Sequence, residues 1–168
     1  MVNTRQLIYC IFCLSALLPF SDVFAAEDSI VLESANHRIK VTTVVDGLDS
    51  PWAMAMLPDG DILITEQEGR LRLVRSGLLQ YLPISGTPEV AGSLHSGLMD
   101  IALHPDFENN HLVYMSHSKI TDQGSTLAVS RARLDDMALT NLEEIFVANA
   151  WEPRQLNYGS RIAFDGDG

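Results

Sequence analysis

The residues best suited to chemistry in this sequence are four histidines, His95, His104, His111 and His117, and the acidic pair Asp165 and Asp167. Imidazole exchanges a proton near neutral pH without special tuning. Closely spaced carboxylates in an Asp-Gly-Asp-Gly run are how a calcium loop begins. Spacing limits both ideas. The histidines lack the helical or hairpin intervals of zinc ligands. Asp165-Gly166-Asp167-Gly168 breaks off before any later ligand and reads first as a turn. His104-Pro105-Asp106 likewise has the composition of a turn between strands. No Gly-x-Ser-x-Gly elbow and no dinucleotide glycine fingerprint is present, which removes support for serine hydrolase and NAD-dependent chemistry.

The N-terminus sets the compartment. Arg5 supplies a positive start, Leu7 to Phe20 is an apolar run interrupted by Ser15, and Val23-Phe24-Ala25 provides the modest-sized residues of a signal-peptidase site. Residues 1–25 read as a cleavable secretory signal, with cleavage after Ala25 or, alternatively, Ala26. The apolar run is short against the roughly 20 residues of a membrane-spanning helix, so no membrane span is expected. Cys10 and Cys13 both lie within the signal. The exported chain therefore has no thiol for disulfides, catalysis or zinc. Its formal net charge of −11 argues against nucleic acid as a partner.

The remaining chain must position any site. After a short leader (26–36), residues 37–168 read as short strands separated by turns, an all-β domain. Arg38 to Val45 is rich in β-branched residues, Ile62 to Thr65 comes after the Asp59-Gly60 turn, and Arg70-Leu71-Arg72-Leu73 alternates charged and apolar side chains. Further strands are expected at Asp100 to Leu103, Leu112 to Ser116, Thr126 to Arg131, Ile145 to Ala148 and Arg161 to Phe164. Asp135 to Glu144 reads as a connection or a helical turn. Trp52, after Pro51, is expected as a core anchor.

A loose repeat runs through these elements. Pro58-Asp59-Gly60-Asp61, His104-Pro105-Asp106-Phe107 and Phe164-Asp165-Gly166-Asp167 each border a strand. Their intervals, 47 residues (58 to 105) and 60 residues (105 to 165), compare with the roughly 40–50 residues of β-propeller blades, each a four-stranded antiparallel sheet. The sequence reads as an incomplete propeller of about two blades and the start of a third, since the last expected strand has no partner after it.

Several segments resemble the soluble PQQ-dependent sugar dehydrogenases, a family that includes aldose, glucose and sorbosone dehydrogenases. They are Leu48 to Ala55, Leu63 to Leu71, Ser96 to Phe107 and Tyr158 to Gly166. The run Gly97-Leu98-Met99-Asp100-Ile101-Ala102-Leu103-His104-Pro105-Asp106-Phe107 is the most specific. The resemblance covers the N-terminal two-fifths or so of such an enzyme. It implies a six-bladed propeller in the periplasm that oxidises an aldose at its anomeric carbon. A histidine base takes the hydroxyl proton, hydride passes to PQQ, and calcium positions the cofactor. The groups that bind PQQ and calcium would lie mostly beyond Gly168. A small-molecule sugar is the implied partner, and oligomeric state is not specified.

Carried over residue by residue, the catalytic histidine falls on Asn157, whose carboxamide does not take up a proton at physiological pH. The position of a substrate-contacting glutamine is His95. Tyr158 and Arg161 join His95 as expected pocket residues, although Arg161 reads equally as half of a structural ion pair. Two consequences stay open. The chain is a diverged homologue that retains only a binding pocket, or His95 supplies the base from across the pocket.

Overall fold

The computed structural model describes residues 29–90, 95–153 and 158–165. The expected signal, Asn157 and Asp167 lie outside them. The chain divides into two compact units, Met1–Thr42 and Thr43–Gly168.

In the first unit, β1 (Ser29–Glu33) and β2 (Arg38–Thr42) form an antiparallel hairpin with Glu33 opposite Arg38. Strand β1 occupies part of the segment that reads as a leader.

The second unit holds two antiparallel meanders, each with its strands in sequence order. The first comprises β3 (Pro51–Met56), β4 (Ile62–Glu66), β5 (Leu71–Arg75) and β6 (Leu78–Leu79). The second comprises β7 (Leu98–Leu103), β8 (Leu112–Thr121), β9 (Gly124–Asp135) and β10 (Ala138–Val147). These are two propeller blades, with β3 and β4 packed against β7. Side chains alternate between sheet faces, so Leu63, Leu71 and Leu73 of the first blade meet Ile101, Val113 and Met115 of the second in one core. Each fully buried leucine there contributes on the order of 2 kcal/mol.

Three local readings change. Pro51–Met56 is a strand, which the sequence pattern does not announce. It turns Ala53 and Ala55 to the core, leaving Trp52 on the other face at 42% exposed. Trp52 therefore lies outside the core shared by the two blades. Asp135 to Glu144 is neither helix nor loose connection: it closes the β9–β10 hairpin, with Ala138 paired to Asp135. Arg161 to Phe164 has no strand assignment, although Arg161 and Ile162 both bond to Asp100 of β7.

The His104-Pro105-Asp106 turn is present and leads into the four-residue helix α1 (Phe107–Asn110). His104 Nδ1 accepts from the Asp106 N–H at 3.0 Å, and its ring stacks on Tyr114. Its role is structural. Among the described residues no helix is long and apolar enough to cross a membrane.

One buried histidine gives a pH prediction. His117 is 3% exposed, and burial pushes its pKa below the ordinary value, outweighing the Ser118 backbone and the Glu144 carboxylate. The unfolded chain then binds the extra proton more readily. Stability is expected to fall as pH drops below about 6.5 and to level off below the folded-state pKa. Urea unfolding of the parent and His117→Gln across pH 5–8 measures this, with the variant losing that part of the slope.

Candidate functional site

Antiparallel pairing brings the starts of β3 and β7 and the turn after β4 to one rim. Glu66, at the end of β4, pairs with Pro51 at the start of β3. The Gln67 N–H donates to Ser50 O at 3.0 Å, and the Leu98 N–H donates to Gln67 O at 3.0 Å. Gln67 Nε2 also donates to Ser96 O at 3.1 Å. One residue thus ties the loop before β3 to the segment His95-Ser96-Gly97 before β7.

Gly97 makes that junction possible. Its φ is +136°, and a Cβ there would lie 1.9 Å from Gln67 O. Its N–H donates to Ser118 Oγ at 2.9 Å, and its carbonyl accepts from the Ser118 N–H. His95 stands exposed just ahead of this locked segment.

Glu66 braces the rim from below and is fully buried. Its carboxylate accepts from the Asp49 N–H at 2.7 Å, from Arg70 Nε at 2.5 Å and from Arg72 at 3.3 Å. Burial alone would raise the Glu66 carboxyl. The Asp49 N–H and the two guanidinium groups outweigh it and hold the group below the usual carboxylate range. Glu66→Ala is expected to cost about 3 kcal/mol, because it removes the carboxylate partner of the largely buried Arg72 and the acceptor of the Asp49 N–H, while Arg70 keeps Asp49 and Glu68. Chemical denaturation monitored by circular dichroism would measure that loss.

The segment Tyr158 to Ile162 runs along the second blade. Tyr158 donates its hydroxyl to Ser125 Oγ. Ser116 Oγ donates to Ser160 O at 2.8 Å. Asp100, 3% exposed in β7, accepts from Arg161 Nη1 at 2.9 Å and from the Ile162 N–H at 2.6 Å.

Pairing of Leu98 with His117 and of Ile120 with Ser125 places His95 and Tyr158 toward the same end of the second blade. The Arg161 guanidinium forms an ion pair with Asp100 of β7. Sequence reasoning missed Asp100, Glu66 and Gln67. An acid inside the apolar run of β7, and one with arginines four and six residues later, were the available signals.

Residues 48–168 match the sequence model of glucose/sorbosone dehydrogenases. The chain belongs to this family of sugar-oxidising dehydrogenases. It is 42% identical over 146 residues to an uncharacterized protein of Synechocystis, covering 82% of this chain and 35% of that one. It is 35% identical over 144 residues to the aldose sugar dehydrogenase YliI of Escherichia coli, covering 83% and 39% respectively. Among solved structures, the PQQ-bound aldose sugar dehydrogenase of Streptomyces coelicolor aligns with a TM-score of 0.64 at 29% identity, over 85% of this chain and 40% of that one. The chain thus spans less than half the length of these family members.

The described part of this family member does not fit the cofactor by itself. PQQ is a tricarboxylate and needs cationic partners, but every described arginine is already engaged. Arg38, Arg70, Arg72, Arg75, Arg131 and Arg161 are paired with carboxylates, and Arg133 donates to Asn110 O. For calcium, no group of three or more histidine, aspartate or glutamate side chains suited to a metal ion occurs among the described residues.

Proposed function

We propose that this chain is the N-terminal part of an exported, periplasmic quinoprotein that resembles PQQ-dependent aldose dehydrogenases, acting on an aldose at its anomeric carbon. The observation that carries this reading is the family match over residues 48–168, joined by the likeness to a PQQ-bound aldose sugar dehydrogenase. Within it, His95 and Tyr158 border the sugar pocket. Arg161 holds the segment after Asn157 against Asp100. PQQ and calcium are held mainly by residues outside those described, and the apolar N-terminal run is the export signal.

Asn157 bears on the proton. An aldose hydroxyl must lose one as it is oxidised, and a carboxamide cannot accept it near neutral pH. This residue favours a second reading, a non-catalytic propeller that binds sugar or a protein partner through the retained pocket. Comparing the full-length protein with its Asn157→His variant in aldose oxidation separates the two. Aldose oxidation by the unsubstituted protein supports the first reading, whereas a parent without it, whether or not the variant gains activity, favours the binding reading. For the 168-residue chain alone, PQQ with calcium is expected to leave the melting temperature unchanged, because ligand stabilisation requires binding to the native state. Differential scanning fluorimetry would detect any rise.

A further inference from the structure

The end of the second blade that carries His95 also carries a short polar relay. Glu152 pairs with Ser125 at the start of β9, each N–H donating to the other's carbonyl at 2.9 Å. This pairing holds the chain after β10 beside the β8–β9 turn. Tyr158 meets it there and donates its hydroxyl to Ser125 Oγ. Ser125 is 1% exposed and Tyr158 is half-buried.

Chemistry fixes the direction of this relay. A hydroxyl carries one hydrogen and can accept through its lone pairs, whereas a carbonyl oxygen can only accept. Ser125 Oγ lies 3.2 Å from Glu152 O, so the single Ser125 hydrogen is committed to that carbonyl. Ser125 can then meet Tyr158 only as an acceptor, and the single phenolic hydrogen of Tyr158 is committed in turn. Among the described residues the Tyr158 oxygen accepts no hydrogen bond. Its lone pairs are unused.

Ser125 also lines a cleft of about 370 Å³ between the β8–β9 turn and Pro153. The phenol is thus bonded to the wall of an opening of small-molecule size, with its polarity set in advance. We propose that Tyr158 is a specificity-determining residue whose oxygen accepts a hydrogen bond from a ligand hydroxyl and cannot offer one, with Ser125 as its positioning residue. The inference rests on the reading of Tyr158 as a border of the sugar pocket and adds the sense of the contact. A site built to accept a hydroxyl proton rejects an analogue that lacks one, because the acceptor is left unpaired. Nothing in it depends on which residue takes the proton in catalysis.

The test is calorimetric binding to the full-length protein, supplied with PQQ and calcium, of glucose and its monodeoxyfluoro analogues. Each analogue replaces one hydroxyl by a fluorine that cannot donate. One of them is expected to bind the parent about tenfold more weakly than glucose. Tyr158→Phe, which keeps the ring, should bind glucose and that analogue alike. Ser125→Ala frees the phenol to rotate and donate, and should narrow the gap; Tyr158→Phe carries the test alone if this variant does not fold. A second readout needs no ligand. The Raman ring doublet of tyrosine, taken as parent minus Tyr158→Phe, should show a phenol that donates. Equal binding of all analogues by the parent, a gap that survives Tyr158→Phe, or an accepting phenol would overturn the proposal. A parent that binds no aldose refutes the pocket reading itself, and the Raman signature then upholds or overturns the commitment of the Tyr158 proton.

Discussion

Replacing Gly97 with alanine is expected to remove about 4 kcal/mol or more of folding stability, at the extreme of single substitutions. Two effects act together. The backbone sits at φ +136°, which side chains beyond glycine rarely adopt, and the new methyl would meet Gln67 O at 1.9 Å. That oxygen cannot retreat cheaply. It accepts the Leu98 N–H, while the Gln67 N–H is committed to Ser50 O. Moving it would pull the first blade's rim away from the second. Gly159→Ala is the internal control, since a Cβ there meets nothing within 4 Å and no positive φ is involved. It should shift stability by about 0.5 kcal/mol or less. Urea unfolding of the two variants beside the parent measures the contrast.

Much of this architecture is legible in the sequence where a single physical signal dominates. Arg70-Leu71-Arg72-Leu73 alternates because one face of β5 enters the core, and Leu71 and Leu73 are buried as that pattern requires. The turns at Pro58-Asp59-Gly60 and His104-Pro105-Asp106 carry their own chemistry: the Asp61 N–H donates to Asp59 Oδ1, and His104 accepts from Asp106.

The signal fails where residue size and burial part company. In β3 the alanines face the core shared with the second blade while Trp52, Met54 and Met56 line the opposite face, so both faces are apolar and no period of two marks the strand. In β10 register shifts after Thr140 and Glu144 blur a period of two.

The site is less legible than the fold, because its support is tertiary. Asp100 becomes an anchor only when Arg161 and Ile162, about sixty positions later, arrive beside it. Gln67 gains its role from backbone partners on both sides. Resemblance marks His95, Tyr158 and Arg161. The geometry separates them into an exposed rim residue, a hydroxyl tied to Ser125 and an ion-paired cation.

The second large effect concerns activity and rests on Asn157. A positioned base contributes about 10²–10⁴-fold to proton transfer, and a carboxamide supplies none of it. His95 as a substitute base would have to come within hydrogen-bond reach of the reacting hydroxyl, about 3 Å, from an exposed turn ahead of Gly97. Slow or absent turnover is therefore expected in the parent, with a rise on restoring imidazole at the position.

The most direct measurement is the rate of aldose-dependent reduction of an acceptor dye by the full-length protein, supplied with PQQ and calcium, before and after Asn157→His. The expected result is an increase in kcat of about 10²-fold or more. A parent that already turns over and loses activity on the substitution would contradict the assignment of Asn157 as the missing base.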